Sequence, residues 1–155
     1  MPVNLDAQQW ETLAGAPELG EVTTLINALF DHLDITTDFS VAVRLIDESE
    51  SAEFNHNYRA KSGPTNILSF PYEAFPGVES DLLGDLLICA PIVMQESAEQ
   101  GKTVAMHFCH LVVHGILHLL GYDHETEQTA TEMEAIEIAV LERQGIANPY
   151  VVIDQ

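Results

Sequence analysis

The stretch that most constrains this chain runs from Thr103 to Leu120, TVAMHFCHLVVHGILHLL. It has the apolar content of a core helix, yet it carries four of the seven histidines, and a fifth, His124, follows just beyond it. At about 100° per residue, His110, His114 and His118 fall at about 300°, 340° and 20° from His107, on one narrow stripe. Leu111, Val112, Val113, Ile116, Leu117, Leu119 and Leu120 cover the rest of the surface. A helix clothed in this way must be largely buried, and a buried polar ring without a partner costs roughly 1–3 kcal/mol. The stripe therefore needs partners, and a metal ion satisfies several rings at once.

The five histidines do not contribute equally. His114 and His118 are four residues apart, so two rings point at one place. Gly121 can take the left-handed conformation that ends a helix, which lets the chain turn back and bring His124 toward the same place. The whole reads H-x3-H-x2-G-x2-H. Three neutral imidazoles, with a fourth position left for water or substrate, form the donor set of a catalytic zinc; structural zinc is usually closed by cysteines. Nickel, copper and iron also accept such a set. Cys109 falls at about 200° on the same wheel, away from the stripe, and is not a fourth ligand. His107 and His110 read as packing residues or supports behind the ligands, and His32 and His56 as hydrogen-bonded core residues or exposed ones. The spacing resembles that of the metzincin proteases, glycine included, but those enzymes place a glutamate general base directly after the first histidine. Here that position is Gly115, so the pattern keeps the metal and loses the base of peptide hydrolysis.

Around this helix the sequence alternates strand and helix signals. Residues 19–33 place Val22, Leu25, Ile26, Leu29, Phe30 and Leu33 at helical spacing, whereas Val41, Val43 and Leu45 alternate as in a strand over 39–47. A polar helix follows over 48–59. Gly63 and Pro64 then mark a turn, and ILSFPYE (67–73) reads as a second strand. An irregular loop is expected over 72–81. LLGDLLICA reads as another strand, and PIVMQESAEQG as a short helix with Pro91 in its first turn. A last helix over about 126–144 buries Met133, Ile136 and Val140 and is closed by Gly145. With the N-terminal VNL as a fourth strand, the expected fold is α+β: one domain over residues 1–155, a mixed sheet of about four strands and about five helices. The metal site sits on the long central helix and the turn after it.

Charge narrows the functional classes. The chain has 25 acidic against 5 basic side chains, a formal net charge of −20. Such a surface repels bulk nucleic acid and attracts basic proteins, and binding of RNA or DNA by the whole surface is disfavoured because that requires many cationic contacts. Phosphate chemistry would have to rely on a small local positive site. Arg59 and Lys61, two positions apart beside the GPTN turn, are two of the five cations, and guanidinium suits bidentate contact with phosphate oxygens. Thr65, Asn66 and Ser69 are candidate polar lining, and Asp85 a candidate partner for a ligand histidine. The start, MPVNLDAQQWE, has neither a basic cluster nor an apolar run, so no secretory signal or membrane association is expected. Cys89 and Cys109 match no paired-cysteine motif; the expectation is a cytoplasmic protein with reduced thiols.

Three segments, HGILHLLGYDH (114–124), NYRAKSGPTNILSFPYE (57–73) and LLGDLLIC (82–89), together resemble the YbeY family of bacterial rRNA maturation factors and single-strand-specific endoribonucleases. The resemblance extends over nearly the whole chain from about residue 40. It implies one zinc ion held by His114, His118 and His124 and a functional arginine at Arg59. It also implies action on single-stranded rRNA in 16S 3′-end maturation, ribosome assembly and ribosome quality control at the small subunit; with the acidic surface, a basic ribosomal protein is the expected partner. Two other readings stay open at this level: a hydrolase of a different substrate, and a non-catalytic assembly factor in which zinc fixes the 114–124 turn.

Overall fold

The computed structural model describes residues 3–72 and 81–150. The elements run β1 (Asn4–Gln8), α1 (Leu19–His32), β2 (Ser40–Ile46), α2 (Glu48–Arg59), β3 (Ile67–Pro71), β4 (Leu82–Cys89), α3 (Ala90–Glu99), α4 (Val104–Leu119) and α5 (Glu127–Arg143). A short 3₁₀ turn, Trp10–Thr12, follows β1 and was not signalled by the sequence pattern. Helix and strand limits otherwise fall within a few residues of the expected ones. The irregular loop expected over 72–81 lies, apart from Tyr72 and Asp81, outside the described residues, as does Glu73 at the end of the expected second strand.

The four strands form one mixed sheet in the order β1-β2-β4-β3. β1, β2 and β4 are parallel, and β3 is the antiparallel edge, with Ile67 opposite Ile88 and Pro71 opposite Gly84. Period-two alternation gives the sheet two apolar faces. Val41, Val43, Leu45, Leu86 and Ile88 join the main core with residues of α1, α4 and α5, among them Leu25, Leu29, Phe108, Val112, Ile116, Met133 and Val140. Leu68, Leu87 and Cys89 face the other way, where Phe54 of α2 and Ile92 of α3 cover them.

α4 is the pillar of the main core. Thr103 caps its start, its hydroxyl accepting the Met106 N–H at 3.1 Å. Ten of its residues are buried, from His107 to Leu119. Each fully buried Leu, Ile, Val or Phe among them contributes roughly 1.5–3 kcal/mol relative to exposure, so the helix is fixed by packing rather than by its intrinsic propensity. Among the described residues no helix is long and apolar enough to cross a membrane. Cys89 and Cys109 are buried free thiols, and burial pushes the Cys109 thiol up to about 12.

Candidate metal centre

The histidines meet because of how α4 ends. Tyr122 N–H donates to Leu117 O and Gly121 N–H to His118 O, both at 3.0 Å, with Gly121 at φ 98°. This paired closure requires a residue in the left-handed region, which glycine enters without Cβ strain. The chain reverses there and carries His124 back against α4. Ring centroids then lie 4.6 Å apart for His114–His118, 5.1 Å for His118–His124 and 5.6 Å for His114–His124. One nitrogen from each ring falls within 4.8 Å of the others. The Nε2 atoms of His114 and His118 are 3.1 Å apart, close to the roughly 3.3 Å edge of a tetrahedron with ~2.0 Å metal–nitrogen bonds. Burial first, and then the neighbouring His114 and His124, lower the His118 pKa below the usual histidine range, which favours the neutral ring a metal requires. The three side chains can hold a metal ion.

Behind them lies a residue that the sequence pattern did not single out. Glu137 of α5 is fully buried, at 0% exposure, and accepts from His114 Nδ1 at 3.0 Å, His110 Nε2 at 3.1 Å and the Tyr150 hydroxyl at 2.7 Å. Burial pushes its carboxyl up, but the hydrogen bonds from His110, His114 and Tyr150 outweigh that and hold the pKa at about 2. The carboxylate therefore fixes the His114 ring with its proton on Nδ1 and its Nε2 lone pair toward the other two histidines, the usual support for a metal-bound imidazole. His110 lies behind the site, bonding Glu137 and, at 3.2 Å, the Tyr150 hydroxyl, with its ring edge-on to His114 at 6.3 Å. His107 instead bonds Glu96 at 2.9 Å through Nε2, and His32 and His56 are exposed.

The histidines open onto a cleft of about 700 Å³ that also receives Arg59, Thr65, Asn66 and Ser69. Its far lip is the α2–β3 loop, pinned to α2 by two side chains. The Ser51 hydroxyl accepts Thr65 N–H and donates to Thr65 O, both at 2.9 Å, and Asn55 Nδ2 donates to Gly63 O at 2.8 Å. Arg59 ends α2, where Ala60 turns the chain at φ 54°. Asn66 holds Glu96 at 3.1 Å, and the Ser69 hydroxyl reaches Gly115 O at 3.4 Å. Lys61 is exposed and outside this lining, so Arg59 is the cation that the described residues bring to the cleft. Asp85 is not brought to the histidines: it pairs with Ala42 and Phe70 on the opposite face of the sheet. Gly115 faces β3 and β4, where a Cβ would come within 2.7 Å of Ile67 Cδ1 and 2.8 Å of Leu86 Cδ2. The position of the missing glutamate is thus a packing contact with the sheet.

The chain is similar to known proteins along most of its length. The family model described as Endoribonuclease YbeY matches residues 5–145. Curated relatives named Endoribonuclease YbeY include one from Alteromonas mediterranea, 48% identical over 134 residues, covering 86% of this chain and 84% of the relative. One from Methylococcus capsulatus is 57% identical over 110 residues, covering 71% and 73%. One from Coxiella burnetii is 44% identical over 151 residues, covering 96% and 98%. A solution structure of a Thermotoga maritima protein shares the fold, with TM-score 0.55 and 24% identity over 95% of this chain and 99% of that one.

Proposed function

The chain belongs to the YbeY endoribonuclease family, and on that premise we propose that it is a zinc-dependent, single-strand-specific endoribonuclease. Its proposed tasks are 16S rRNA 3′-end maturation, small-subunit assembly and ribosome quality control in the cytoplasm, alongside a basic ribosomal protein. The observation that carries the reading is one cleft holding three convergent imidazoles and Arg59. Zinc, bound by His114, His118 and His124, supplies Lewis acidity to a water or a phosphoryl oxygen. Arg59 binds and neutralises the negative charge that grows on the phosphate as the bond breaks. Glu137 keeps His114 in one tautomer and orientation, and Ser69 and Thr65 offer polar contacts to the strand.

The wall at Gly115 disfavours a peptidase reading, because a glutamate there would point into β3 and β4 rather than into the cleft. The decisive experiment is cleavage of single-stranded RNA by purified protein, beside elemental analysis. Wild type is expected to carry about one zinc per chain and to cleave. His114→Ala or chelation should abolish both, and Arg59→Glu should abolish cleavage while keeping the metal. Cleavage that survives His114→Ala and chelation together would rule the zinc mechanism out.

A further inference from the structure

A second cavity of about 430 Å³ lies on the other side of β3, against the α2 face of the sheet. It shares Tyr58 and Phe70 with the metal-bearing cleft, so the two hollows are joined by an aromatic sill. Tyr58 is 65% exposed, so its ring is accessible from both hollows. Its orientation is nevertheless set: it stacks on Phe54 with centroids 6.0 Å apart and planes at 19°, and meets Phe70 edge-on at 5.1 Å and 73°. The cavity floor carries Ala42, and its polar groups are Gln8, Arg44 and Asp85. Arg44 pairs with Glu50 at 3.1 Å through one nitrogen, which leaves other guanidinium N–H groups to donate.

We propose that Tyr58 and Phe70 form a stacking platform for a nucleobase of the same RNA strand whose phosphate lies at Arg59 and the three histidines. This rests on the ribonuclease reading above. Charge decides the occupant. A chain at −20 whose cleft offers Arg59 and a metal site but no row of lysines holds a polyanion only weakly by its backbone, so stacking supplies affinity that other nucleic-acid binders draw from lysines. Asp85 disfavours a phosphate in the second cavity and can accept hydrogen bonds from the edge of a neutral base. An acceptor-only carboxylate near a donor-only guanidinium complements guanine, which offers adjacent N–H donors at N1 and N2 and an acceptor at O6.

The test is equilibrium binding of a labelled single-stranded oligoribonucleotide to the zinc-loaded protein, measured before turnover, with cleavage followed in parallel. Intact strands are compared with strands carrying one abasic position moved along the sequence. Tyr58→Ala is expected to weaken binding by about 5- to 150-fold, the worth of one base–aromatic stack; Tyr58→Phe, which keeps the ring, should bind like wild type. One abasic position should cost wild type a similar factor and cost Tyr58→Ala nothing further, and the intact base preferred there should be guanine. Equal affinity of Tyr58→Ala and wild type, or an abasic penalty that is the same in both at every position, overturns the platform. If wild type binds and cleaves while Tyr58→Ala does both equally well, only this inference fails. If wild type does neither, the ribonuclease reading fails and takes the platform with it.

Discussion

At the scale of single residues, Gly115 and Glu137 hold the histidine helix in place, one by close packing on the sheet and the other by a hydrogen bond to His114. Gly115 was legible as an absence, a protease helix without its base, but its positive role was not: a Cβ there meets Ile67 and Leu86. Gly115→Glu is therefore expected to lower stability by at least about 2 kcal/mol, through overpacking and an unpaired charge against the sheet. Thermal denaturation measures this, and no peptidase activity should appear. Glu137 was illegible because it is one of many glutamates on an acid-rich helix, and nothing in its spacing marks it off. Only the packing of α5 on α4 reveals that it is the one fully buried and shared by His110, His114 and Tyr150. Glu137→Gln keeps the shape but weakens the acceptor, and metal affinity should fall about 10- to 100-fold, as read by competition with a chelator. Unchanged affinity would leave Glu137 a purely structural carboxylate. Asp85, chosen from sequence as a histidine partner, illustrates the converse. Parity along β4 sends it to the other face of the sheet, and parity cannot be converted into an inside and an outside until the covering helices are placed.

At the scale of elements, α4 and its closing turn were the most readable part of the chain. Periodicity and a glycine stop point to the same end of the helix, and the three-ligand geometry follows from them. The α2–β3 loop was readable as a turn but not as a cleft wall, because the Ser51 and Asn55 hydrogen bonds that pin it connect residues up to 14 positions apart. Gly121 is where the legible part can be tested. A Cβ there meets nothing within 4 Å, so Gly121→Ala incurs only the left-handed backbone cost, about 1–2 kcal/mol. The melting temperature should fall by several degrees and zinc should stabilise the variant less than it stabilises wild type. Calorimetry with and without added zinc checks both, and an equal zinc shift in the two proteins would show that the turn does not position His124.

At the scale of the whole molecule, the α+β sheet order was beyond sequence reading, since three parallel strands and an antiparallel edge share the same alternation of apolar residues. Net charge, by contrast, was fully legible and has a consequence in solution. With Arg59 as the cation in the cleft, the logarithm of the RNA association constant should fall against the logarithm of salt concentration with a slope of about −0.7, the value for one phosphate contact on a single strand. Titration across salt concentrations measures it; a slope several times steeper would mean that cations outside the cleft hold the strand. The position of the ligands in the fold bears, finally, on how fast the metal comes and goes. His114 and His118 belong to a helix that cannot loosen without dismantling the core, while His124 lies beyond the turn, on a segment that can open locally. The site thus has one fixed jaw and one hinged jaw, and exchange of a bound ion is expected to run through residues 121–126 at the pace of a loop rather than at the pace of unfolding.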